Sequence, residues 1–288
     1  MPGGEKPQKP APGLYVVATP IGNAADIGLR ALAVLAGADV VAAEDTRVTA
    51  KLFAIHGLSR PLVPYNDHNA AGMRPKLLGR LRDGAAVALV SDAGTPLISD
   101  PGYRLVRAAL AEGIAVHAIP GASAPLVALT LSGLPTDRFL FAGFLPARPG
   151  ERRGRLAELR SVPATLVLFE SAQRLAESLH DAAEILGPRR VAVARELTKL
   201  HEDVRRDDLA TLAKLYAQEP APKGEITLVI APPPQAQEDW SKADNLLDRA
   251  LGFMPVKAAA DLVAEALDLS RRAVYARALE RKPGDGAD

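Results

Sequence analysis

From residue 14 to residue 231, short apolar runs alternate with longer segments whose apolar residues recur at helical spacing. That alternation constrains the fold most, because strands separated by helix-length crossovers pair in parallel within an α/β architecture. In the first half, strands are expected at residues 14–18, 40–43, 85–90 and 114–119. Asp26 is positioned to cap a first helix with Ile27, Ala31, Val34, Leu35 and Ala38 on one face. Further helices are expected over 46–56, 72–82, 102–112 and 122–132. The spacing predicts an N-terminal α/β domain over 14–135 with a mainly parallel sheet.

A second rhythm starts near Phe139. Strands are expected at 139–144, 165–169, 190–195 and 225–231, with a weaker alternation at 202–206, and helices at 151–160, 173–186 and 209–218. This gives a second α/β domain over 136–231. Pro232-Pro233-Pro234 cannot continue a strand ladder, and the polar residues after it complete a linker over 232–240. The remainder, 241–288, reads as a small helical module. Val256, Ala259, Ala260, Val263, Ala266 and Leu267 form one stripe. Ser270 is placed to cap a last helix, and Leu269 and Val274 to staple it, as in a helix-turn-helix. Residues 1–13 hold four Pro and three Gly and read as a flexible tail rather than a signal peptide.

Composition narrows the chemistry. At 288 residues and 48% hydrophobic, the chain can bury a sizeable core, which excludes a disordered, fibrous or small disulfide-framed protein. There is no cysteine, which excludes disulfides, thiolate metal sites and a Cys nucleophile. The five His stand in no short ligand spacing, so no metal is expected. No run approaches the ~18 apolar residues of a membrane span, and a cytoplasmic setting is the default. A net charge of +1 gives no global field toward nucleic acid and leaves only local patches.

Three small-residue loops follow predicted strands. The longest is Ser91-Asp92-Ala93-Gly94-Thr95-Pro96-Leu97-Ile98-Ser99-Asp100-Pro101-Gly102. The others are Thr19-Pro20-Ile21-Gly22-Asn23 and Pro120-Gly121-Ala122-Ser123. In a parallel sheet, ligands bind at the carboxyl ends of strands, and small residues let backbone groups come close to them. The alternative for the longest loop is a tight strand-to-helix connection in which Asp100 caps the next helix. G-x-G-x-x-G after a strand, the P-loop and G-x-S-x-G are all missing, which weakens dinucleotide, P-loop and serine-hydrolase readings. Charged side chains also gather at strand ends, in Glu44-Asp45-Thr46-Arg47, Asn66-Asp67-His68 and Arg195-Glu196-Leu197-Thr198-Lys199. Each of these suits either chemistry or a structural ion-pair network.

Taken in order, LYVVATPIGNAADIGLRAL, AAEDTR, DHN, VALVSDAGTPLISDPGYRLV, IPGASA, GLPTDRFLFAGFLP, FESAQRL, ARELTK and KGEITLVI form a series. It closely resembles the bacterial 16S ribosomal RNA cytidine 2′-O-methyltransferases of the tetrapyrrole methylase superfamily. Gln173 stands where those proteins often have His, and Asn66 replaces a commoner His before Asp67. The resemblance implies two α/β domains, a helical tail, a homodimer and S-adenosyl-L-methionine bound in the cleft between the domains. It places Pro20, Asp92, Ala93, Gly94, Thr95 and Ser123 around the cofactor, with Phe169 and Glu225 added from the second domain.

Methyl transfer to a ribose hydroxyl needs the oxygen held close to the methyl carbon, and a proton acceptor or a nearby cation. Glu44, Asp45, Asp67 and His68 are the candidate acceptors, and Arg47, Arg195 and Lys199 the candidate cations. 16S ribosomal RNA, in the small ribosomal subunit, needs phosphate-binding charge. Arg148, Arg152, Arg153 and Arg155 offer one basic cluster, and Arg271, Arg272, Arg277, Arg281 and Lys282 another. Two rival functions are a methyltransferase acting on a tetrapyrrole ring and a non-catalytic RNA-binding assembly factor.

Overall fold

The computed structural model describes residues 9–234 and 240–281. The tail reading for 1–8, the linker reading for 235–239 and Lys282 lie outside the described residues.

The first apolar run becomes β1 (Gly13–Val17), followed by a 3₁₀ turn at Ala24–Asp26 and α1 (Leu29–Gly37). Asp26 does not cap α1. Asn23 makes an Asx turn, its side chain accepting from the Ala25 N–H, so the polar residues are used before the helix begins and Gly28 takes the cap. Then come β2 (Val40–Ala43), α2 (Thr46–Ile55), β3 (Leu62–Pro64), α3 (Ala70–Arg82) and β4 (Ala86–Val90). This half closes with α4 (Tyr103–Ala111), β5 (Val116–Ile119) and α5 (Ala124–Ser132). β3 was not expected from the sequence. It is a short edge strand ending in a proline, a place where the missing N–H does little harm.

The strand order is β3-β2-β4-β1-β5, and every pair is parallel. Both faces are covered. Ala31 and Leu35 of α1 and Phe53 of α2 pack on one side, and Leu77 and Leu81 of α3 with Leu105 and Ala109 of α4 on the other. Burial on two faces explains why β2 and β4 read as unbroken apolar runs.

The second rhythm yields β6 (Phe139–Phe144), α6 (Pro149–Leu159), β7 (Thr165–Ser171), α7 (Leu175–Leu186) and β8 (Arg190–Arg195). It continues with β9 (Asp203–Asp208), α8 (Leu209–Gln218) and β10 (Glu225–Ile230). The order is β6-β7-β10-β8-β9, with β6–β7 parallel and the other pairs antiparallel. The weakly alternating segment near 202–206 is therefore a real edge strand, β9. α6, α7 and α8 cover one face of this sheet through Leu156, Leu175, Leu179 and Leu212. The other face is covered by α5, whose Ala128 and Leu129 meet Val167, Ala192 and Val229. α5 thus belongs to the first half by sequence and to the second by packing, and residues up to Pro232 form one compact unit.

The chain from Pro233 is a separate unit. It contains α9 (Trp240–Leu251), α10 (Val256–Leu267) and α11 (Arg271–Glu280) around Ala243, Leu247, Ala260, Val263, Val274 and Ala278. Ser270 is the N-cap residue of α11, and Leu269 and Val274 share its core. Among the described residues, no helix is long and apolar enough to cross a membrane.

Candidate active site

β2, β4, β1 and β5 are neighbours in the first sheet, so the loops leaving their carboxyl ends meet along one edge. They are stitched together. Thr19 and Gly94 exchange backbone bonds of 2.8 and 3.1 Å. The Thr19 hydroxyl donates to the Ser91 carbonyl at 3.2 Å, and the Thr95 hydroxyl to the Ala122 carbonyl at 3.1 Å. Glu44 accepts from the Asp92 N–H at 3.2 Å, while Asp92 accepts from the Asp45 N–H at 2.9 Å. Gly94 has φ +78, and a Cβ there would stand 3.3 Å from the Ile21 side chain, so the crossing of these loops requires glycine. Leu97 and Ser99 also hold left-handed φ values of 75 and 67, strain of the kind found around ligand sites.

These loops form one wall of a cavity of about 680 Å³ that is lined from both sheets. Glu44, Asp92 and Asp100 lie on that wall, and none has an ion-pair partner among the described residues. Burial pushes the carboxyls of Glu44 and Asp92 above their ordinary range. Burial pushes Asp100 up to about 6, opposed by a hydrogen bond from Ser91 and reinforced by Glu44 and Asp92. Asp100 does not cap the next helix, because Gly102 occupies the N-cap of α4. The opposite wall sets aromatic rings beside polar groups, among them Glu170, Lys223 and Glu225. Phe144, Phe169 and Ile226 line it with Gln173, and the Phe169 ring lies 5.0 Å from Phe141 and 5.3 Å from Phe144. The cavity can therefore take a ligand that carries positive charge at one side and a flat apolar ring at the other.

The expected residues divide. Asp92, Ala93, Gly94, Thr95, Ser123, Phe169, Glu225 and Glu44 line the cavity. Pro20 and Lys199 instead line an adjoining groove of about 250 Å³ that shares Asp92, Ala93 and Glu225 with it. Lys199 donates to Glu196 at 2.8 Å and to Glu225 at 2.9 Å. Its stem passes so close to Gly22 that a Cβ there would overlap it.

Asp45, Asp67, His68 and Arg195 are not brought into the cavity. Asp45 caps α2 and is held at 2.6 Å by Arg47, whose hydrogen bonds keep its carboxyl down at about 2. Arg47 is used up in the same pair. Arg195 donates to the Lys223 carbonyl at 3.2 Å. Asp67 and His68 are exposed just before α3. Sequence reasoning missed Phe144 and the loop of Pro222, Lys223 and Gly224 as lining. Phe144 carried a weak signal as an aromatic at a strand end, and Lys223 and Gly224 open the KGEITLVI block.

The basic clusters are also reassigned. Arg152 is buried, 2.6 Å from Asp181 and 3.3 Å from Glu177. Arg153 pairs with Asp181 and Glu184, Arg148 with Glu151, and Arg155 with Glu158. The cluster over 148–155 is a structural ion network, because its acidic partners arrive from α7 and from the helix itself. In the last unit, Arg277 pairs with Asp244, and Arg281 pairs with Asp248. Arg271 and Arg272 remain exposed, with no ion-pair partner among the described residues.

A family model for tetrapyrrole (corrin/porphyrin) methylases matches residues 13–213, and one described as the RsmI C-terminal HTH domain matches 237–282. A ribosomal RNA small subunit methyltransferase I from Mesorhizobium japonicum is 51% identical over 284 residues, covering 98% of this chain and 97% of that one. The protein of that name from Escherichia coli O157:H7 is 45% identical over 273 residues, covering 93% and 95%. Among solved structures, uroporphyrin-III C-methyltransferase from Thermus thermophilus complexed with S-adenyl homocysteine shares the fold. Its TM-score is 0.53 at 22% identity, over 75% of this chain and 96% of that one.

Proposed function

The chain belongs to the tetrapyrrole methylase family, and on that premise we propose that it methylates the 2′ hydroxyl of a cytidine ribose in 16S ribosomal RNA, using S-adenosyl-L-methionine. The observation that carries the reading is a cavity with three carboxylates that have no ion-pair partner among the described residues, facing the rings of Phe144 and Phe169. A sulfonium cofactor with an adenine ring matches both walls. It has no pyrophosphate, so it does not need the glycine fingerprint that this sequence lacks. When bound, S-adenosylmethionine supplies an electrophilic methyl group.

The residues of this chain do the rest. Gly94, Thr95 and Ser123 let the backbone come close to the cofactor, and Phe169 and Phe144 offer ring faces. Asp92 and Asp100 stabilise its positive charge. Glu44 is the one suggested proton acceptor that lines the cavity, and its raised pKa makes it a better base than a surface carboxylate. Lys199, clamped between Glu196 and Glu225, ties the 195–199 loop to the start of β10 beside Gly22 of the β1 loop. The setting we infer is cytoplasmic, on the small ribosomal subunit, with a homodimer as the working form. A tetrapyrrole-ring substrate is not favoured, since close relatives over nearly the whole chain are ribosomal RNA methyltransferases.

The deciding experiment incubates the protein with labelled cofactor and small ribosomal subunits and maps the labelled nucleotide, which is expected to be a single cytidine. In parallel, Asp92→Asn and Gly94→Val are expected to lose cofactor affinity by about tenfold or more, equivalent to ~1.4 kcal/mol. Unchanged affinity by calorimetry in both folded variants rejects this placement of the cofactor.

A further inference from the structure

Asp67 and His68 stand outside the cavity, and the surface beyond them is strongly basic. α3 contributes Arg74, Lys76 and Arg80, and α4 contributes Arg104 and Arg107. The two helices share one face of the first sheet, burying Leu77, Leu81, Leu105 and Ala109. Lys76, Arg80, Arg104 and Arg107 are exposed on the outward side, and Arg74 is half-buried. None of the five has an ion-pair partner among the described residues, whereas Glu112, at the end of α4, is already taken by Arg82 at 2.8 Å. The other acids on the same stretches of chain are Asp67, Asp83 and Asp100.

This face reaches the rim of the cavity. Both helices start at the carboxyl edge of the parallel first sheet, where the cavity loops lie, with Arg104 in the first turn of α4 and Arg74 in the second turn of α3. Burial pushes the hydroxyl of Tyr65, just past β3, up, and the charges of Arg74 and Arg104 oppose that shift. Asp67 acts on that hydroxyl and also on Glu44 inside the cavity. Arg104 follows the cavity-lining Asp100 on the adjoining stretch of chain. Arg148, Arg152, Arg153 and Arg155 are all engaged internally, so they offer no comparable surface.

We propose that the α3–α4 face binds the phosphate backbone of the RNA strand that enters the cavity. The proposal rests on RNA being the substrate. Its argument is charge complementarity: five cations without an ion-pair partner among the described residues, on helices that start at the edge where the ribose must arrive. Phosphate contacts of this kind position a strand without reading its sequence.

The test uses the full chain with two double variants, Arg104→Ala with Arg107→Ala and Arg74→Ala with Lys76→Ala. Methylation of small ribosomal subunits is followed across a salt series, with calorimetry for the cofactor. Each pair is expected to raise KM for the subunit about tenfold or more, with cofactor affinity unchanged. The slope of log affinity against log salt should become shallower by ~0.7 for each phosphate that the variant no longer neutralises. Arg104→Lys with Arg107→Lys keeps the charge and should keep the slope, which separates charge from folding. Unchanged KM and slope in both alanine variants overturn the proposal. So does a change in oligomeric state at constant RNA affinity, which would make the face a contact with a second copy. A wild-type protein that binds cofactor yet methylates no ribosomal RNA overturns the parent reading and this proposal with it.

Discussion

The two sheet-bearing halves of the main unit differ in where they leave carboxylates without a partner. Around the second sheet, buried carboxylates are matched within the protein, while the buried Arg189 is held, among the described residues, only by the Arg160 and Ala231 carbonyls. Arg152 meets Asp181, the buried Glu170 meets Arg174 at 2.6 Å and the Ser178 hydroxyl at 2.6 Å, and Arg205 meets Glu219 at 2.7 Å. Around the first sheet, Arg47 and Arg82 are paired, but Glu44, Asp92 and Asp100 line a cavity and Arg74, Arg104 and Arg107 face outward with no ion-pair partner among the described residues. Burying a charge costs free energy unless a partner is supplied, so a half-buried carboxylate without one marks a place where the partner arrives with a ligand. The buried carboxylates of the second half are paired for structure, whereas those facing the cavity are left for a ligand.

The sharpest way to break that contrast is to unpair a charge in the second half. Arg152→Ala leaves Asp181, 5% exposed, with only Arg153 at 2.9 Å. Removing one partner of a buried pair costs about 3 kcal/mol, a large part of a domain's net stability. Urea unfolding is expected to show that loss, while cofactor affinity in the folded protein stays at the wild-type level. A variant as stable as the wild type would mean that this ion pair holds nothing together.

A smaller effect, opposite in sign, is expected at Asp100. Its carboxyl titrates at about 6 in the fold, above the ordinary aspartate value of 3.8. The folded state therefore holds this proton more tightly than the unfolded chain does. Stability from this group is greatest at low pH and is lost as pH rises from about 4 through 6. With solvent screening of a half-buried group allowed for, that loss is on the order of 2 kcal/mol. Asp100→Asn removes that penalty. It should melt higher than the wild type at pH 8 and together with it near pH 4. The cofactor should then raise the melting temperature of the variant less than that of the wild type at pH 8. Equal melting at pH 8 would show that the unpaired carboxylate carries no strain.

Much of the first half was readable from sequence, because a strand buried on two faces is a plain apolar run and its loop is a run of small residues. The meeting of Thr19, Gly94 and Ala122 followed from alternation alone, since parallel strands put all these loops at one edge. Charge pairing was not readable. Arg152 and Asp181 are far apart in sequence and meet only because α6 packs beside α7, so a cluster that looks basic along the chain is neutralised in space. The reverse holds for Arg74 and Arg104, each unremarkable in its own helix, which the fold places on one face because α3 and α4 pack side by side. Asp26 failed as a cap for a local reason, the Asx turn at Asn23. β3 is too short to leave a periodic signal.

The C-terminal unit repeats the contrast on a smaller scale, and there the expected effect is slightest. Arg277 and Arg281 clamp α11 to Asp244 and Asp248 of α9, and Arg277 also lies 5.2 Å over the Trp240 ring. Arg271 and Arg272 open the same helix with no such partner among the described residues, beside the exposed Tyr275. If pairing marks structure and its absence marks binding, two double variants of one helix must behave differently. Arg277→Ala with Arg281→Ala should lower the melting temperature of the C-terminal unit. Its RNA slope against salt should be unchanged under conditions where the unit remains folded. Arg271→Ala with Arg272→Ala should melt like the wild type, and its salt slope should fall by ~0.7–0.9 for each phosphate left without its cation. Because these two cations act from the C-terminal unit, cofactor affinity should not move in either case. If instead both variants shift the melting temperature and neither shifts the slope, the arginines of α11 serve only the module's own packing, and RNA docking falls to the α3–α4 face alone.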